Sequence, residues 1–165
     1  MEDGCELAMT NSRRLGRIRL SPNPIEDPSI AKLGFDPLTD MLSLEAFRAS
    51  LAKRKANLKG LLLNQSFAAG VGNWIADEVL FQAGIAPTRR ANSLKDNESK
   101  NLHASLATIV KTAVELDADK ARFPSNWLFH HRWGQNQQAQ TSDGDPIEFV
   151  QIGGRTTAWV PNRQG

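Results

Sequence analysis

Cysteine is almost absent from this sequence, since Cys5 is the only one among 165 residues. A single thiol excludes an intramolecular disulfide framework and a zinc site built mainly from thiolates. No apolar run approaches the roughly 18 residues that a membrane-spanning helix needs, and the acidic N-terminus lacks the apolar region of a secretory signal. Hydrophobic residues make up 40% and charged residues 23%, which excludes a wholly disordered chain. We therefore expect a soluble intracellular protein with no membrane partner.

Acidic residues are missing from four stretches that hold most of the 20 basic residues, although the net charge is only +2. The acid-free stretches are 7–25, 46–76, 120–142 and 149–165. Such segregation can build a basic face on a nearly neutral protein, as a polyanionic partner requires, but each stretch alone is equally consistent with ordinary solvated surface. Taken together, the four stretches favour nucleic acid as the partner.

Hydrophobic periodicity predicts a mainly helical chain. The expected helices cover residues 44–51, 58–67, 73–82 and 96–116. Ser43 is a plausible N-cap for the first helix, and Gly84 is expected to end the third.

Strand signals occur near both ends of the chain. The alternating residues 17–20 predict a short strand, and no partner strand is evident before about residue 145. Residues 147–152 and 155–160 flank Gly153-Gly154, a combination typical of a β-hairpin. A Gln-rich loop is expected at residues 135–140.

The segment from Lys59 to Glu78 carries the most specific pattern, in which one helix ends at two glycines and the next starts at Asn73. Gly70 and Gly72 permit positive φ and close backbone approach. The start of the second helix offers unpaired N–H groups and a positive dipole end, which together suit a phosphate. Asn73 is expected either to cap its own helix in an ordinary helical hairpin or to direct its amide at a phosphate.

Three motifs resemble the formamidopyrimidine-DNA glycosylase / endonuclease VIII family. Residues 59–87 resemble its helix–two-turn–helix segment, and residues 153–161 resemble its C-terminal finger hairpin. Residues 13–17, Arg-Arg-Leu-Gly-Arg, resemble its Arg-Arg-Phe-Gly turn near the end of the N-terminal β-sandwich. The order and spacing of the motifs match over nearly the whole chain.

The resemblance implies a mainly α fold with a small C-terminal β-hairpin, divided into four parts. These parts are a remnant strand of the β-sandwich domain at 1–24, a linker at 25–42, a helix–two-turn–helix DNA-binding domain at 43–122 and a zincless finger hairpin at 123–165.

The resemblance also implies a partner, which is double-stranded DNA containing damaged or abasic sites. Asn73 and Arg155 stand where the family grips the phosphates beside the lesion, and Gly72 precedes that asparagine. Lys59 stands at the position of a lysine on the lesion side of the same motif. We expect these residues to bind DNA.

Three further residues are expected to contact DNA at the lesion itself. In the family, the Arg-Arg-Phe turn supplies side chains that fill the gap left by the flipped nucleotide. Arg13 or Arg14 takes the place of that arginine, and Leu15 replaces the phenylalanine. Leucine can occupy the gap but provides less stacking than an aromatic ring.

The finger region departs from the family pattern because most members hold the finger with four cysteines. Residues 135–164 contain none, and Val160 and Arg163 stand where the final pair would be. His130 and His131 are adjacent, which is poor spacing for zinc ligands, so they are expected to be structural or near a phosphate rather than catalytic. We predict a finger without zinc, as in the plant and fungal branch, and no cofactor. The finger is expected to be held by the packing of Phe149, Ile152 and Trp159.

The family's catalytic groups have no counterpart in this sequence. In the family, an N-terminal proline attacks the sugar C1′ to form a Schiff base, and the following glutamate acts as general acid and base. This chain begins Met1-Glu2-Asp3, so we expect nearly all of the catalytic β-sandwich to be missing and no catalytic residue to be present. Glu2 is not expected to play the role of the catalytic glutamate.

Three hypotheses follow. In the first, this monomeric, nuclear chain is the lesion-binding part of a bifunctional DNA glycosylase/AP lyase of base excision repair, which excises oxidised or ring-opened bases. In the second, it is a repurposed non-catalytic module that binds damaged or abasic DNA. In the third, it is a structural helical domain whose basic stretches are a solvated face. A Met-Pro-Glu exon upstream would separate the first hypothesis from the second.

Overall fold

The computed structural model describes residues 3–6, 8–11, 16–134 and 138–165. Residues 1–32 form one compact unit and residues 33–165 another. The predicted DNA-binding residues Arg13, Arg14 and Leu15 lie outside the described residues, as do residues 135–137 of the Gln-rich loop, so both expectations stay predictions.

Within the described ranges, four α-helices belong to the larger unit. They are α1 (Leu44–Ala52), α2 (Leu58–Leu63), α3 (Asn73–Ala83) and α4 (Asp96–Glu115). The Ser43 side chain caps α1 by accepting the N–H of Ala46, and Gly84 ends α3 in the left-handed conformation with φ of 68°. Both ends lie where the sequence predicts them. None of these helices is long and apolar enough to cross a membrane.

The predicted helix over 58–67 is wrong in its second half, because α2 ends at Leu63. The Gln65 side chain organises the turn that follows. Its Nε2 donates to the carbonyl oxygens of Leu63 at 3.1 Å and Val71 at 3.0 Å, and its Oε1 accepts the N–H of Gly70 at 2.9 Å. One amide side chain thus satisfies three backbone groups that no helix continues to pair.

Helix α3 runs through the centre of the larger unit. Ala76, Val79 and Leu80 on this helix have no exposed surface, and Phe47 of α1 is equally buried. The hydrophobic core therefore surrounds α3, so groups on this helix are held in a rigid, close-packed setting.

The C-terminal hairpin consists of β1 (Glu148–Ile152) and β2 (Arg155–Trp159), paired antiparallel with Ile152 opposite Arg155. Gly153 and Gly154 form its turn with φ of 60° and 71°, which suits a type I′ hairpin. A mainly helical fold with a small C-terminal β-hairpin is therefore confirmed.

The predicted strand over residues 17–20 is wrong. These residues are irregular and exposed, and Ile18 is 79% accessible. An alternating pattern needs a neighbouring strand to complete its hydrogen bonds, and the described part of residues 1–32 contains no strand that could provide them.

The apolar packing of the hairpin also differs from the prediction. Its buried cluster contains Ile147, Ala158 and Val160 together with Leu128 and Phe81 of α3. Of the three predicted residues, only Phe149 packs against this cluster, because it lies opposite Ala158 and shares its face. Strand periodicity puts Ile152 and Trp159 on the other face.

Candidate nucleic-acid interface

The start of α3 meets the C-terminal hairpin. Gly72 is the N-cap residue of α3 and has no side chain to pair the N–H groups of the first turn. Asn73 is the first helical residue, and its Nδ2 donates to the carbonyl oxygen of Thr156 at 2.9 Å. This hydrogen bond places the positive end of the α3 dipole beside β2, the strand that begins at Arg155.

Asn73 does not cap its own helix, so the simpler of its two predicted roles is wrong. Its Oδ1 is buried without a hydrogen-bond partner among the described residues. Its Nδ2 carries a second N–H besides the one given to Thr156. The alternative role, an amide directed at a phosphate, stays a prediction.

Arg155 lies at the exposed start of β2, directly after the hairpin turn. None of the described acidic residues forms a salt bridge with its guanidinium. The turn itself approaches α2, since a Cβ on Gly153 would stand 3.9 Å from the Cα of Gly60. The hairpin turn and the start of α3 thus bring two of the predicted DNA-binding residues, Asn73 and Arg155, into one region.

Lys59, also predicted to bind DNA, is completely buried. Its ammonium pairs with Oδ1 of Asp77 and donates to the carbonyl oxygen of Asn73 at 2.7 Å. Burial lowers the pKa of Lys59, while the Asp77 carboxylate favours the charged form. A direct contact with DNA would require the ammonium to leave Asp77, and that role stays a prediction.

Asp77 is the centre of a buried network that the sequence reasoning missed. Its Oδ2 accepts hydrogen bonds from Arg132, at 3.1 Å from Nε and 2.6 Å from Nη2, and from the N–H of Ala158 at 3.2 Å. Asp77 has no exposed surface, and Arg132 is 8% exposed. The available signal was a pair of acidic residues, Asp77 and Glu78, inside an otherwise apolar helix, because buried carboxylates require partners.

Glu78 holds the segment that precedes the hairpin. Its Oε2 accepts a hydrogen bond from the backbone N–H of Phe129 at 2.8 Å, and its Oε1 accepts one from Nε2 of Gln82 at 2.8 Å. Burial raises the pKa of the Glu78 carboxyl, although both hydrogen bonds favour its charged form.

Replacing Glu78 by Gln should change how stability depends on pH. A raised pKa in the folded state gives a contribution to stability that is present at low pH and is lost as the pH rises through that pKa. Glutamine does not titrate, so the free energy of unfolding of Glu78→Gln should rise relative to that of the unmutated chain as the pH increases above the ordinary pKa of a glutamate side chain. Urea unfolding at each pH measures this. Glu115→Gln makes the same change on an exposed side chain of α4, and an identical trend in that control would contradict the assignment to Glu78.

Two adjacent histidines precede the hairpin in the sequence. His130 lies near a backbone carbonyl, whereas His131 has a ring nitrogen without a partner among the described residues. The Nε2 of His130 lies 3.1 Å from the carbonyl oxygen of Pro124. The Nε2 of His131 is buried and has no partner among the described residues. The His130 contact agrees with a structural role, which the sequence left open beside a location near phosphate.

Zinc does not fit the residues of the finger. Val160 is fully buried in the apolar cluster, and Arg163 pairs with Asp143 at 2.6 Å and Asp145 at 2.5 Å. No group of three or more His, Cys, Asp or Glu among the described residues could hold a metal ion. Tetrahedral zinc in a structural site needs four N or S ligands. Elemental analysis of the purified chain would test the prediction that the finger works without metal.

Comparison with known families identifies the helical unit. Residues 33–125 match the formamidopyrimidine-DNA glycosylase H2TH domain. The chain belongs to this family. The match covers all four helices and the turn between α2 and α3, and it confirms the family resemblance inferred from the sequence.

Similar proteins extend the H2TH match across most of the chain. A formamidopyrimidine-DNA glycosylase of Arabidopsis thaliana is 45% identical over 164 residues, covering 99% of this chain and 42% of that protein. One from Listeria monocytogenes is 34% identical over 173 residues, covering 99% of this chain and 63% of that protein. The chain thus spans only about half the length of the curated relatives it matches.

Two solved structures share the fold of this H2TH chain. Lactococcus lactis Fpg in complex with abasic-site DNA matches with a TM-score of 0.68 and 30% identity, covering 81% of this chain and 52% of that one. A mutant of the same protein in complex with Fapy-dG DNA gives the same TM-score of 0.68, with 30% identity, 81% of this chain and 52% of that one.

Proposed function

We propose that this chain is the lesion-binding part of a bifunctional DNA glycosylase/AP lyase of base excision repair. The observation that carries the proposal is the bond from Asn73 Nδ2 to the carbonyl oxygen of Thr156, which brings the start of α3 beside Arg155. Unpaired N–H groups at a helix start and an exposed guanidinium both suit phosphate oxygens. Two such groups side by side could hold the backbone on either side of a damaged nucleotide.

The relatives support DNA as the partner, since the similar Lactococcus lactis Fpg structures contain abasic-site or Fapy-dG DNA. The basic stretches of this sequence agree with that partner through the long-range attraction that backbone phosphates exert. We propose double-stranded DNA carrying an abasic site or a damaged base as the ligand.

Binding to matched duplexes tests the proposal. The 165-residue chain should bind a fluorescein-labelled duplex containing a tetrahydrofuran abasic analogue at least about tenfold more tightly than the undamaged duplex of the same sequence. Fluorescence anisotropy at fixed salt measures both affinities. Equal affinity for the two duplexes would contradict a lesion-binding role, even if both bind well.

We infer that these 165 residues bind the lesion without cleaving it. No proline among these 165 residues is followed by glutamate, so the family's pair of nucleophile and general acid/base has no counterpart within them. Borohydride trapping on duplex DNA with a natural abasic site should yield no covalent adduct. A trapped adduct would assign lyase activity to this chain itself.

We further infer a monomer located in the nucleus, as the resemblance to the plant and fungal branch implies. Sedimentation velocity with and without the abasic duplex tests the first point, because a monomer should form a complex of one chain with one duplex. Imaging of the tagged protein in its own cells tests the second.

A further inference from the structure

We propose that Asp77 is a positioning residue that places the hairpin, and with it Arg155, against the start of α3. This inference rests on the proposed function for its role in DNA binding, while its geometric part stands on contacts within the chain. Asp77 touches three separate segments through Lys59 of α2, Arg132 before the hairpin and Ala158 of β2. A single carboxylate thereby fixes three pieces of chain to α3.

The hydrogen bond from Ala158 links Asp77 to the strand that carries Arg155. Oδ2 of Asp77 accepts the Ala158 N–H at 3.2 Å, and Ala158 lies on the same five-residue strand as Arg155. Adjacent strand residues rise by about 3.3 Å, so this anchor lies roughly 10 Å along the strand from Arg155. The Asn73–Thr156 bond lies between them on the same strand. Two attachments to one helix therefore set both the distance and the direction of β2.

The ion pairs of Asp77 with Lys59 and Arg132 give its attachment to the hairpin a defined geometry. Lys59 and Asp77 have no exposed surface and Arg132 is 8% exposed, so each needs the others to offset the loss of hydration. Arg132 is further fixed by its guanidinium, which lies 4.7 Å from the centre of the Trp133 ring. Among the residues that the structure describes, the apolar cluster beneath the hairpin has five buried members. It can stabilise the hairpin, but apolar contacts alone give little directional control.

Asp77→Asn is the variant that tests this role, and Asp143→Asn is its matched control. The first leaves two buried cations without a counter-charge and replaces the charged acceptor of the Ala158 N–H. The second makes the same chemical change at an exposed carboxylate that pairs with Arg163. Arg132→Met provides a second way to loosen the network if Asp77→Asn does not fold.

Hydrogen exchange measures the positioning without any DNA. In Asp77→Asn, the β2 amides from Arg155 to Trp159 should exchange at least about tenfold faster, while the α4 amides retain most of their protection. Arg132→Met should change the same amides in the same direction, and Asp143→Asn should leave them unchanged. Equal loss in β2 and α4 in both network variants would overturn the proposal, since it would show only general destabilisation.

A double-mutant cycle then connects positioning to DNA binding. Asp77→Asn should weaken binding of the abasic duplex by about tenfold in the unmutated chain but by less than about twofold when Arg155 is already Ala. An equal loss in both backgrounds, or no loss in either, would overturn the link to Arg155. If the unmutated chain does not prefer the abasic duplex, the proposed function fails, and the exchange experiment still decides whether Asp77 positions the hairpin.

Discussion

Replacing Arg155 by Ala should weaken binding of the abasic duplex by about tenfold or more and lower the slope of log affinity against log salt by about one. Arg155 is exposed, unpaired among the described acidic residues and located directly after the hairpin turn. The Arg155→Ala protein makes one fewer contact between a cationic side chain and a phosphate, so its binding releases about one fewer counterion from the DNA. Anisotropy titrations at four or five salt concentrations measure affinity and slope together.

Asn73→Ala provides the contrast that makes this experiment specific. A neutral amide bound to a phosphate stabilises the complex without releasing a counterion, so Asn73→Ala should lose about tenfold in affinity with little change in the salt slope. Lys100→Ala and Asn101→Ala are controls at exposed positions of α4, outside the basic stretches. They should change affinity by less than about twofold. Unchanged binding in both Arg155→Ala and Asn73→Ala would contradict the phosphate-binding assignment.

Lys59→Met should lower the free energy of unfolding by about 3 kcal/mol. The substitution keeps the length of the buried side chain but removes the ammonium that pairs with Asp77 and binds the carbonyl oxygen of Asn73. Arg132 still offsets the Asp77 charge, which keeps the effect near the lower end of the range for a broken buried ion pair. Urea unfolding followed by circular dichroism measures the difference.

The matched control for Lys59 is Lys111→Met on α4. Lys111 pairs with Glu115 at 3.7 Å, but its side chain is 70% exposed, so the same substitution should change stability by no more than about 0.5 kcal/mol. Equal effects at the two positions would contradict the buried network. In the DNA assay, a salt slope lower by about one for Lys59→Met would reveal a phosphate contact at that position.

Local sequence signals predicted the parts of the fold that depend on neighbouring residues. Ser43 marks the start of α1, Gly84 ends α3, and Gly153-Gly154 forms the hairpin turn. These features follow from side-chain caps and from backbone conformations that glycine adopts readily. The strand over 17–20 was mispredicted because an alternating pattern cannot reveal whether a partner strand exists.

The contacts within the candidate interface could not be predicted in the same way. Asp77 and Arg132 are separated by 55 residues, and Asn73 and Thr156 by 83. Helix and strand periodicity relate only residues that are close in sequence, so they cannot reveal such distant pairs. The hydrogen bond to Thr156 also uses a backbone carbonyl, which every residue type carries. The family resemblance predicts that Asn73 and Arg155 bind DNA, but the burial of Lys59 and its pairing with Asp77 emerge only from the folded chain.

The most direct test of the account maps the DNA-binding surface by NMR. Adding the abasic duplex to the ¹⁵N-labelled chain should cause the largest amide shift changes at Gly72, Asn73 and Trp74 and at Gly154 and Arg155. The amides in the middle of α4, between Leu102 and Ile109, should change least because this part of the helix packs into the core. If the largest changes fall on α4 while residues 72–74 and 154–155 remain unshifted, the start of α3 and the hairpin turn do not form the DNA-binding site.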